Sequence, residues 1–224
     1  MQDQHANLQW HETGVPVSVD YDDPYFSLES GLRETQHVFL AGNDLPTRFT
    51  DGFHIAELGF GSGLNLLVTW QAWRQAGMQG QLQFTSFEAF PMQPDEMHRS
   101  LQLFEIDQDL SEALLSAMRN GKSLQTDDLN FEMIIGDARE TVPAWRQQAD
   151  AWYLDGFSPA KNPELWGADL MQAVFDHTTH SGTAATYTAA GAVRRNLADA
   201  GFEVQRVAGF GRKRHMTIAR RAIA

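Results

Sequence analysis

The sequence of 224 residues contains no cysteine. The chain therefore has no disulfide, no cysteine-ligated zinc site and no cysteine-bound iron–sulfur cluster, and it cannot use a cysteine nucleophile. It also lacks any apolar run near the roughly 18 residues that a membrane span requires, and its polar N-terminus shows no signal-peptide pattern. We therefore expect a cytoplasmic protein with no membrane partner.

Basic residues are few and unevenly placed. The chain carries 17 Lys and Arg against 29 Asp and Glu, a formal net charge of −12, which as a whole argues against binding nucleic acid. Eight of the basic residues lie between Gly191 and Ala224, however, where only Asp199 and Glu203 oppose them. A basic end on an acidic body suits a docked polyanion, and a solvated basic face is the alternative.

The stretch from Phe53 to Glu88 organises the chain. A short apolar run, a glycine-rich turn, a segment with helical spacing and a second apolar run follow one another and end at an acid. This order predicts the nucleotide-binding half of a Rossmann-like α/β fold. The predicted strand, turn, helix and strand are Phe53–Leu58, Gly59–Gly63, Leu64–Gln75 and Leu82–Phe87.

The glycine spacing indicates which nucleotide this turn would bind. The pattern from Glu57 to Gly63 is E-x-G-x-G-x-G, which is typical of class I methyltransferases that use S-adenosylmethionine, whereas dinucleotide sites carry G-x-G-x-x-G. A dinucleotide site and a purely structural turn are the alternatives. Glu88 ends the second strand, where an acid can accept both ribose hydroxyls. The predicted cofactor contacts in this stretch are Glu57, Gly59, Gly61, Gly63, Asn65 and Glu88.

Two further acids follow predicted strands. Asp137 follows the strand Phe131–Ile135, where it suits contact with the adenine amino group, the N-cap of a helix over 138–148, or both. Asp155 follows the strand Ala151–Leu154, near the point where ligands bind in open α/β sheets. We predict Asp155 as the catalytic residue, and a turn-forming Asp before Gly156 is the alternative.

The remaining pattern predicts one mostly parallel, seven-stranded sheet. Residues 50–224 would form this domain, and residues 1–49 would form an N-terminal extension. Within it, Tyr21–Phe49 would form a small β-rich cap over one edge of the sheet. Residues 1–19 read as a polar lead-in and residues 120–130 as a polar loop. The other predicted helices are Gln93–Leu103, Asp109–Arg119, Pro163–His177 and Ala192–Ala200, and the other predicted strands are Gly182–Thr188, Glu203–Val207 and His215–Ala219.

Candidate substrate contacts come from three segments. In the cap, Tyr25, together with Phe26, Arg33 and Glu34, could reach the site or merely pack locally. After Asp155, an apolar wall is predicted from Phe157, Pro159 and Trp166. A basic hairpin tip with one aromatic suits an RNA backbone with base stacking, or is a solubilising turn, and its basic residues are Arg212, Lys213 and Arg214. His177 and His180 lack further ligands nearby, so we predict no metal site.

Several strings together resemble one family. They are DYDDPYFSLESGLRETQHVFLAGN (20–43), ELGFGSGLNLL (57–67), FEAFP (87–91), WYLDGFSPAKNPELW (152–166) and GFGRKRHM (209–216). Over about residues 20–219 the chain closely resembles the methyltransferase domain of the bacterial tRNA 5-methylaminomethyl-2-thiouridine biosynthesis proteins. LDGFSPAKNPELW and GFGRKR are specific to that family, whereas many methyltransferases share the ELGFGSG turn.

The resemblance implies a substrate that the residues alone do not give. It implies methylation, by S-adenosylmethionine, of the exocyclic amine of 5-aminomethyl-2-thiouridine at the wobble position, with the tRNA anticodon region as partner. It also implies a partner that supplies this amine, such as a separate FAD-dependent oxidase, because the chain resembles the stand-alone methyltransferase form or an isolated methyltransferase domain. The rival hypotheses are an N-methyltransferase for small-molecule or protein amines, an NAD-dependent oxidoreductase, and a non-catalytic RNA-binding subunit.

Overall fold

The two strands predicted around the glycine turn lie side by side at the centre of a sheet. The computed structural model describes residues 5–27 and 30–222. Residues 1–4 of the predicted lead-in, Leu28 and Glu29 of the predicted cap, and residues 223–224 lie outside the described residues. No helix within 5–27 or 30–222 combines the length and apolarity needed to cross a membrane.

Strands and helices alternate along most of the chain. The strands are β1 (Leu8–Trp10), β2 (Pro16–Ser18), β3 (Asp23–Pro24), β4 (His54–Leu58), β5 (Leu82–Glu88), β6 (Ser123–Gln125), β7 (Leu129–Ile135), β8 (Ala149–Leu154), β9 (Thr178–Thr186), β10 (Phe202–Ala208) and β11 (His215–Arg221). The α-helices are α1 (Gly31–Thr35), α2 (Leu64–Gln75), α3 (Pro94–Leu101), α4 (Gln108–Asn120), α5 (Ala138–Ala144), α6 (Ala168–Asp176) and α7 (Gly191–Ala200).

The main sheet has the order β10-β11-β9-β8-β4-β5-β7-β6. Strands β9, β8, β4, β5 and β7 are parallel to one another, β11 is antiparallel to both of its neighbours, and β6 is antiparallel to β7. The predicted mostly parallel α/β sheet is confirmed, and all seven predicted strands are present. The eighth strand, β6, lies in the stretch that we predicted as a loop. Its three residues carry only one apolar side chain, and it forms because the edge of β7 offers unpaired backbone groups.

The central strands are buried on both faces, as expected for a parallel sheet covered by helices. In β8, Trp152 and Leu154 face the helices α5, α6 and α7, whereas Tyr153 points to the opposite face. On that opposite face Trp70 and Trp73 of α2 are almost completely buried. Because successive side chains of β8 point to opposite faces, this one strand contributes to the apolar core on each face of the sheet.

Two predicted helices differ in extent. Helix α5 ends at Ala144 instead of residue 148, because Pro143 sits in its last turn and the chain becomes extended at Trp145. The predicted helix from Pro163 to His177 is broken by Gly167, which adopts an extended conformation. A 3₁₀-helix over Pro163–Trp166 precedes this break, and α6 follows it.

The cap is built differently from the prediction, although a small antiparallel sheet is present. This sheet, of order β1-β2-β3, comes mainly from the segment predicted as a polar lead-in. In the region predicted as β-rich, residues 31–43 are helical instead. Ser30 caps α1 by accepting a hydrogen bond from the Arg33 backbone N–H, and helical turns continue to Asn43.

Arg48 connects the N-terminal segment to the main sheet. Its guanidinium donates hydrogen bonds to the backbone carbonyls of Asn43 (3.1 Å), Asp150 (3.0 Å) and Ser181 (3.3 Å).

We expect Arg48→Met to lower the free energy of unfolding by about 2–4 kcal/mol, because several acceptors lose a charged donor. Urea denaturation would measure this change. The exposed Arg146→Met is the control, and equal losses in the two variants would contradict the role of Arg48.

Candidate active site

A cavity of about 580 Å³ lies over the carboxyl ends of the central strands. Its floor comes from the glycine turn after β4 and from the residues that follow β5, β7 and β8. The cap covers it, since Ser158 donates its backbone N–H to the Asp23 carboxylate (2.8 Å) and Lys161 pairs with Asp22 (2.5 Å). Ligands bind at this edge in open α/β sheets.

Two glycines of the turn allow close approach of neighbouring segments. Gly59 has φ +84°, and a Cβ there would lie 3.3 Å from the Cα of Gly156. Gly61 has φ +54°, and its Cβ would lie 3.2 Å from the ring of Tyr25. Both glycines line the cavity, whereas Gly63 does not. A Cβ on Gly63 would lie 2.8 Å from Leu114, so this glycine lets α2 pack against α4 instead of contacting a ligand.

The Glu88 carboxylate is held in the cavity by the backbone of two turns. Its Oε2 accepts hydrogen bonds from the N–H groups of Phe60 (2.9 Å) and Gly61 (3.2 Å), and its Oε1 accepts one from Phe90 (2.9 Å). A carboxylate has about four acceptor sites, so it can still accept a hydrogen bond from a ligand hydroxyl. The backbone thus fixes the position of this carboxylate before any ligand arrives.

Asn65, which itself lines the cavity, joins the carboxylates of Glu57 and Asp155. Its Nδ2 donates to Glu57 Oε1 and to Asp155 Oδ2, both at 2.8 Å, and its Oδ1 accepts from Thr35 Oγ1 at 2.7 Å. Ser86 Oγ donates to the other oxygen of Glu57 at 2.7 Å. Glu57 is fully buried and does not line the cavity, so the predicted direct contact with a ligand is replaced by support of Asn65.

Asp155 lines the cavity, and its pKa is higher than that of an ordinary aspartate. Its Oδ1 accepts the backbone N–H of Gly156 at 2.8 Å. The pKa of Asp155 is raised to about 6, chiefly by burial and to a smaller extent by Glu34, whereas the hydrogen bonds from Gly156 and Asn65 and the charge of Lys213 lower it. Burial also raises the pKa of Glu57 well above its usual range. Asp155 is therefore ionised at neutral pH and yet basic enough to accept a proton near that pH.

Asp137 caps α5 at the far end of the cavity. Its carboxylate accepts the backbone N–H of Arg139 at 2.9 Å and forms an ion pair with the Arg139 guanidinium. Hydrogen bonds from that guanidinium lower the pKa of Asp137. The capping alternative is therefore present in the structure. Asp137 also lines the cavity, and its contact with an adenine amino group stays a prediction.

An aromatic wall stands beside Asp155. Phe157 lines the cavity, with Tyr21 stacked on it at 4.6 Å between ring centroids and Tyr25 edge-on at 5.0 Å. Trp166 lies behind this wall, where its Nε1 donates to the Phe157 carbonyl at 3.0 Å. Neither Trp166 nor Pro159 lines the cavity, so the predicted wall of three residues is formed by Phe157 with aromatic residues of the cap.

The basic hairpin tip does not act as one cluster. All three basic residues are exposed, but only Lys213 lines the cavity, where it forms an ion pair with Glu34 at 2.8 Å; Arg212 and Arg214 lie outside the cavity wall. Phe26 and Glu34 of the cap also line the cavity, but Arg33 does not.

Sequence reasoning missed Thr35, Tyr21 and Tyr187. Tyr187 follows β9 directly, lines the cavity, and donates its hydroxyl to the Gly156 carbonyl at 2.9 Å. The rule that places ligands at the carboxyl ends of strands could have identified Tyr187. No comparable signal existed for Thr35, whose partner Asn65 is 30 residues away. Within residues 5–27 and 30–222 no group of three His, Cys, Asp or Glu residues is placed to hold a metal ion.

Relatives along almost the whole chain support the predicted resemblance. The tRNA 5-methylaminomethyl-2-thiouridine biosynthesis bifunctional protein MnmC of Idiomarina loihiensis is 47% identical over 95% of this chain, which covers 38% of that protein. The MnmC protein of Pseudomonas aeruginosa strain UCBPP-PA14 is 43% identical over 95% of this chain, which covers 34% of it. The chain thus spans about a third of the length of these curated relatives. The resemblance predicted from the sequence is confirmed.

Solved structures agree with the fold. The crystal structure of MnmC2 from Aquifex aeolicus superimposes with a TM-score of 0.79 at 26% identity, covering 97% of this chain and 71% of that one. A precorrin-6Y C5,15-methyltransferase from Geobacter metallireducens reaches 0.54 at 12% identity, with coverage of 95% and 98%, and shows the fold alone. The family profile described as S-adenosyl-L-methionine-dependent methyltransferase matches residues 101–222, more than half of the chain. The chain belongs to this family of S-adenosyl-L-methionine-dependent methyltransferases.

Proposed function

We propose that this chain methylates the exocyclic amine of 5-aminomethyl-2-thiouridine at the wobble position of tRNA. One observation carries this proposal: a single cavity is lined by the glycine turn and, directly beside it, by the partly buried Asp155 carboxylate and an aromatic wall. Such a carboxylate attracts a cationic amine, and such a wall accepts a flat base. The similarity to MnmC proteins supports the tRNA nucleoside as the substrate.

The cavity suits the proposed cofactor. When bound, S-adenosylmethionine supplies an electrophilic methyl group on a sulfonium. Glu88 would accept the ribose hydroxyls, and Asp137 the adenine amino group. Gly59 and Gly61 would leave room for the methionine part, since a Cβ at either position would come within 3.4 Å of Gly156 or of the Tyr25 ring and narrow the cavity there. Asn65 would act indirectly, by fixing the Asp155 carboxylate.

Asp155 has two tasks in this proposal. The acceptor is a primary alkylamine, which by analogy with lysine is mostly protonated at neutral pH and has no lone pair for attack. Asp155 would bind the ammonium, orient it and take its proton. Phe157 and the cap tyrosines would exclude water and align the base, and alignment should supply much of the rate. The dry surroundings lower the basicity of the amine and so assist its deprotonation.

The exposed part of the hairpin tip would contact the tRNA backbone near the anticodon. Arg212 and Arg214 provide two cations there, and Phe210 lies on the same tip. We expect the double variant Arg212→Ala and Arg214→Ala to weaken tRNA binding and to flatten the plot of log affinity against log salt by about 1–2 units, because fewer counterions are released. Fluorescence anisotropy at several salt concentrations would measure this.

A matched pair of exposed arginines controls for the change in net charge. Arg119→Ala with Arg146→Ala removes the same charge from other elements and should leave the salt slope as in the wild type. An unchanged salt slope in the hairpin variant would mean that Arg212 and Arg214 form an ordinary solvated surface and do not contact the tRNA backbone.

Nucleoside mass spectrometry tests the proposed reaction. The protein is incubated with S-adenosylmethionine and tRNA that carries 5-aminomethyluridine, beside tRNA that lacks this group. A gain of one methyl group on the aminomethyl nucleoside alone is the expected result. No gain on either tRNA, with binding of S-adenosylmethionine demonstrated by calorimetry, would discard the nucleoside substrate.

One observation favours a second candidate function. Acids dominate the charged groups of the cavity wall, among them Asp20, Asp23, Glu34 and Glu164. This charge also suits a small cationic amine, so polyamines and lysine-containing peptides should be tested as substrates in the same assay.

The curated relatives are bifunctional proteins. We therefore also propose that a second activity, distinct from the methyl transfer, supplies the aminomethyl precursor. The division into residues 1–49 and 50–224 likewise stays a proposal.

A further inference from the structure

Lys213 sits differently from the arginines on either side of it. Its Nζ lies 2.8 Å from Glu34 Oε1 and 3.9 Å from the centroid of the Tyr187 ring. Tyr187 in turn donates its hydroxyl to the carbonyl of Gly156, the residue after Asp155. A carboxylate and an aromatic face therefore hold the Lys213 ammonium at the cavity wall, although its side chain is 45% exposed.

Charges of both signs therefore face the place proposed for the acceptor amine. Glu34, Asp155 and Lys213 line the same cavity, and Glu34 raises the pKa of Asp155 whereas Lys213 lowers it. The charged and titratable groups around them come from every adjoining element: Glu34 of α1, His37 of the turn after α1, Asp23 of β3, Glu57 of β4, Asp155 after β8, Tyr187 after β9, and Arg212, Lys213 and Arg214 of the hairpin.

We infer that Lys213 is a positioning residue of the acceptor pocket whose ammonium, held by Glu34 and the face of Tyr187, favours the neutral form of the acceptor amine. The inference rests on the proposed function. It follows from simple electrostatics. Two carboxylates alone would bind the alkylammonium firmly and hold it in the form that cannot react. A fixed cation beside them offsets this attraction, and a like charge destabilises the protonated amine.

The alkylammonium gives one proton to the Asp155 carboxylate or to water and becomes a neutral amine. The nitrogen lone pair then forms the N–C bond while the C–S bond breaks, and its electron pair goes to sulfur. The product is a secondary ammonium, which keeps the original charge. Lys213 takes no part in bond making, and only its charge and position matter.

The first experiment measures kcat against pH. Lys213→Met should move the acid limb of the profile upward by about 1 pH unit, so that the rate is about tenfold lower at pH 7 and recovers at higher pH. Lys213→Arg keeps the charge and should keep the wild-type limb. Arg214→Met, a neighbouring cation of the same hairpin, should raise KM for tRNA and leave the limb unchanged. A loss of kcat that is equal at every pH would mean a structural role and would overturn the inference.

The second experiment measures binding without turnover. Anticodon stem-loop RNAs carrying 5-aminomethyluridine or the uncharged 5-hydroxymethyluridine are titrated in the presence of S-adenosylhomocysteine. For the wild type, the preference for the amine should increase between pH 7 and pH 9, because the pocket selects its neutral form. In Lys213→Met this increase should be about tenfold smaller. If both RNAs instead lose affinity equally, Lys213 is a backbone contact and the inference fails.

The two proposals fail in different ways. If the wild type methylates no aminomethyl nucleoside at any pH, the proposed function is wrong. If the wild type is active and Lys213→Met has the wild-type pH profile, only the role of Lys213 is wrong.

Discussion

Asp155→Asn should lower kcat for methyl transfer by about 10²–10⁴-fold while S-adenosylmethionine still binds. The carboxylate is the group that would attract the ammonium and accept its proton, and an amide does neither at neutral pH. Single-turnover kinetics would measure the loss, and calorimetry would measure cofactor binding. Asp20→Asn removes another carboxylate from the cavity wall and serves as the control. Near-normal turnover of Asp155→Asn would rule out this role.

The same substitution should change how stability depends on pH. Because burial raises the pKa of Asp155 to about 6, its contribution to stability is complete below the unfolded pKa of about 3.9 and is lost as the pH rises through about 6. Between pH 4 and pH 7 the wild type should therefore lose more unfolding free energy than Asp155→Asn. A neutral amide cannot titrate in this range, so identical pH dependence in the two proteins would contradict the elevated pKa.

Glu88→Ala should weaken binding of S-adenosylmethionine by about 100-fold or more. The substitution removes the proposed acceptor of the ribose hydroxyls. It also leaves the N–H groups of Phe60, Gly61 and Phe90 without the acceptor that orders the turn. Each lost charged hydrogen bond contributes about 1.5–3 kcal/mol, so the combined effect is large. Isothermal titration calorimetry would measure the dissociation constant.

Glu132→Ala provides the comparison for Glu88. Glu132 is an exposed acid on β7, the strand that pairs with β5, and it lies outside the cavity wall. Its removal changes the net charge of the protein equally and should leave cofactor affinity within about twofold, as is usual for surface substitutions. Equal affinities in wild type and Glu88→Ala would refute the ribose assignment.

Local patterns predicted the part of this fold that local forces determine. Helix α2 begins and ends at the predicted residues, Leu64 and Gln75, because glycine before it and helical apolar spacing within it act over a few positions. The acids Glu88, Asp137 and Asp155 were found by the same reasoning, since each lies at the carboxyl end of a parallel strand or within two residues of it. Periodicity and strand ends are properties of short segments.

Contacts between distant segments were not predictable in this way. The partner of Lys213 is Glu34, 179 positions earlier, and no local pattern distinguishes Lys213 from Arg212 or Arg214. Glu57 was expected to touch a ligand because it opens the glycine pattern, but burial against Ser86 of the neighbouring strand turns it away. The helical part of the cap was missed because its aromatic and turn residues favour strands and loops, and packing overrides such propensities.

The amide of Asn65 has a consequence for how this protein can vary. Both of its N–H groups point at acceptors and its oxygen accepts from Thr35, so the amide has a single allowed orientation. Truncating any one of Thr35, Glu57, Asn65 or Asp155 leaves at least one buried donor or acceptor of this network without its partner. We therefore expect strong epistasis among these four positions. Single replacements should be deleterious, whereas paired replacements that exchange donor and acceptor should be far better tolerated.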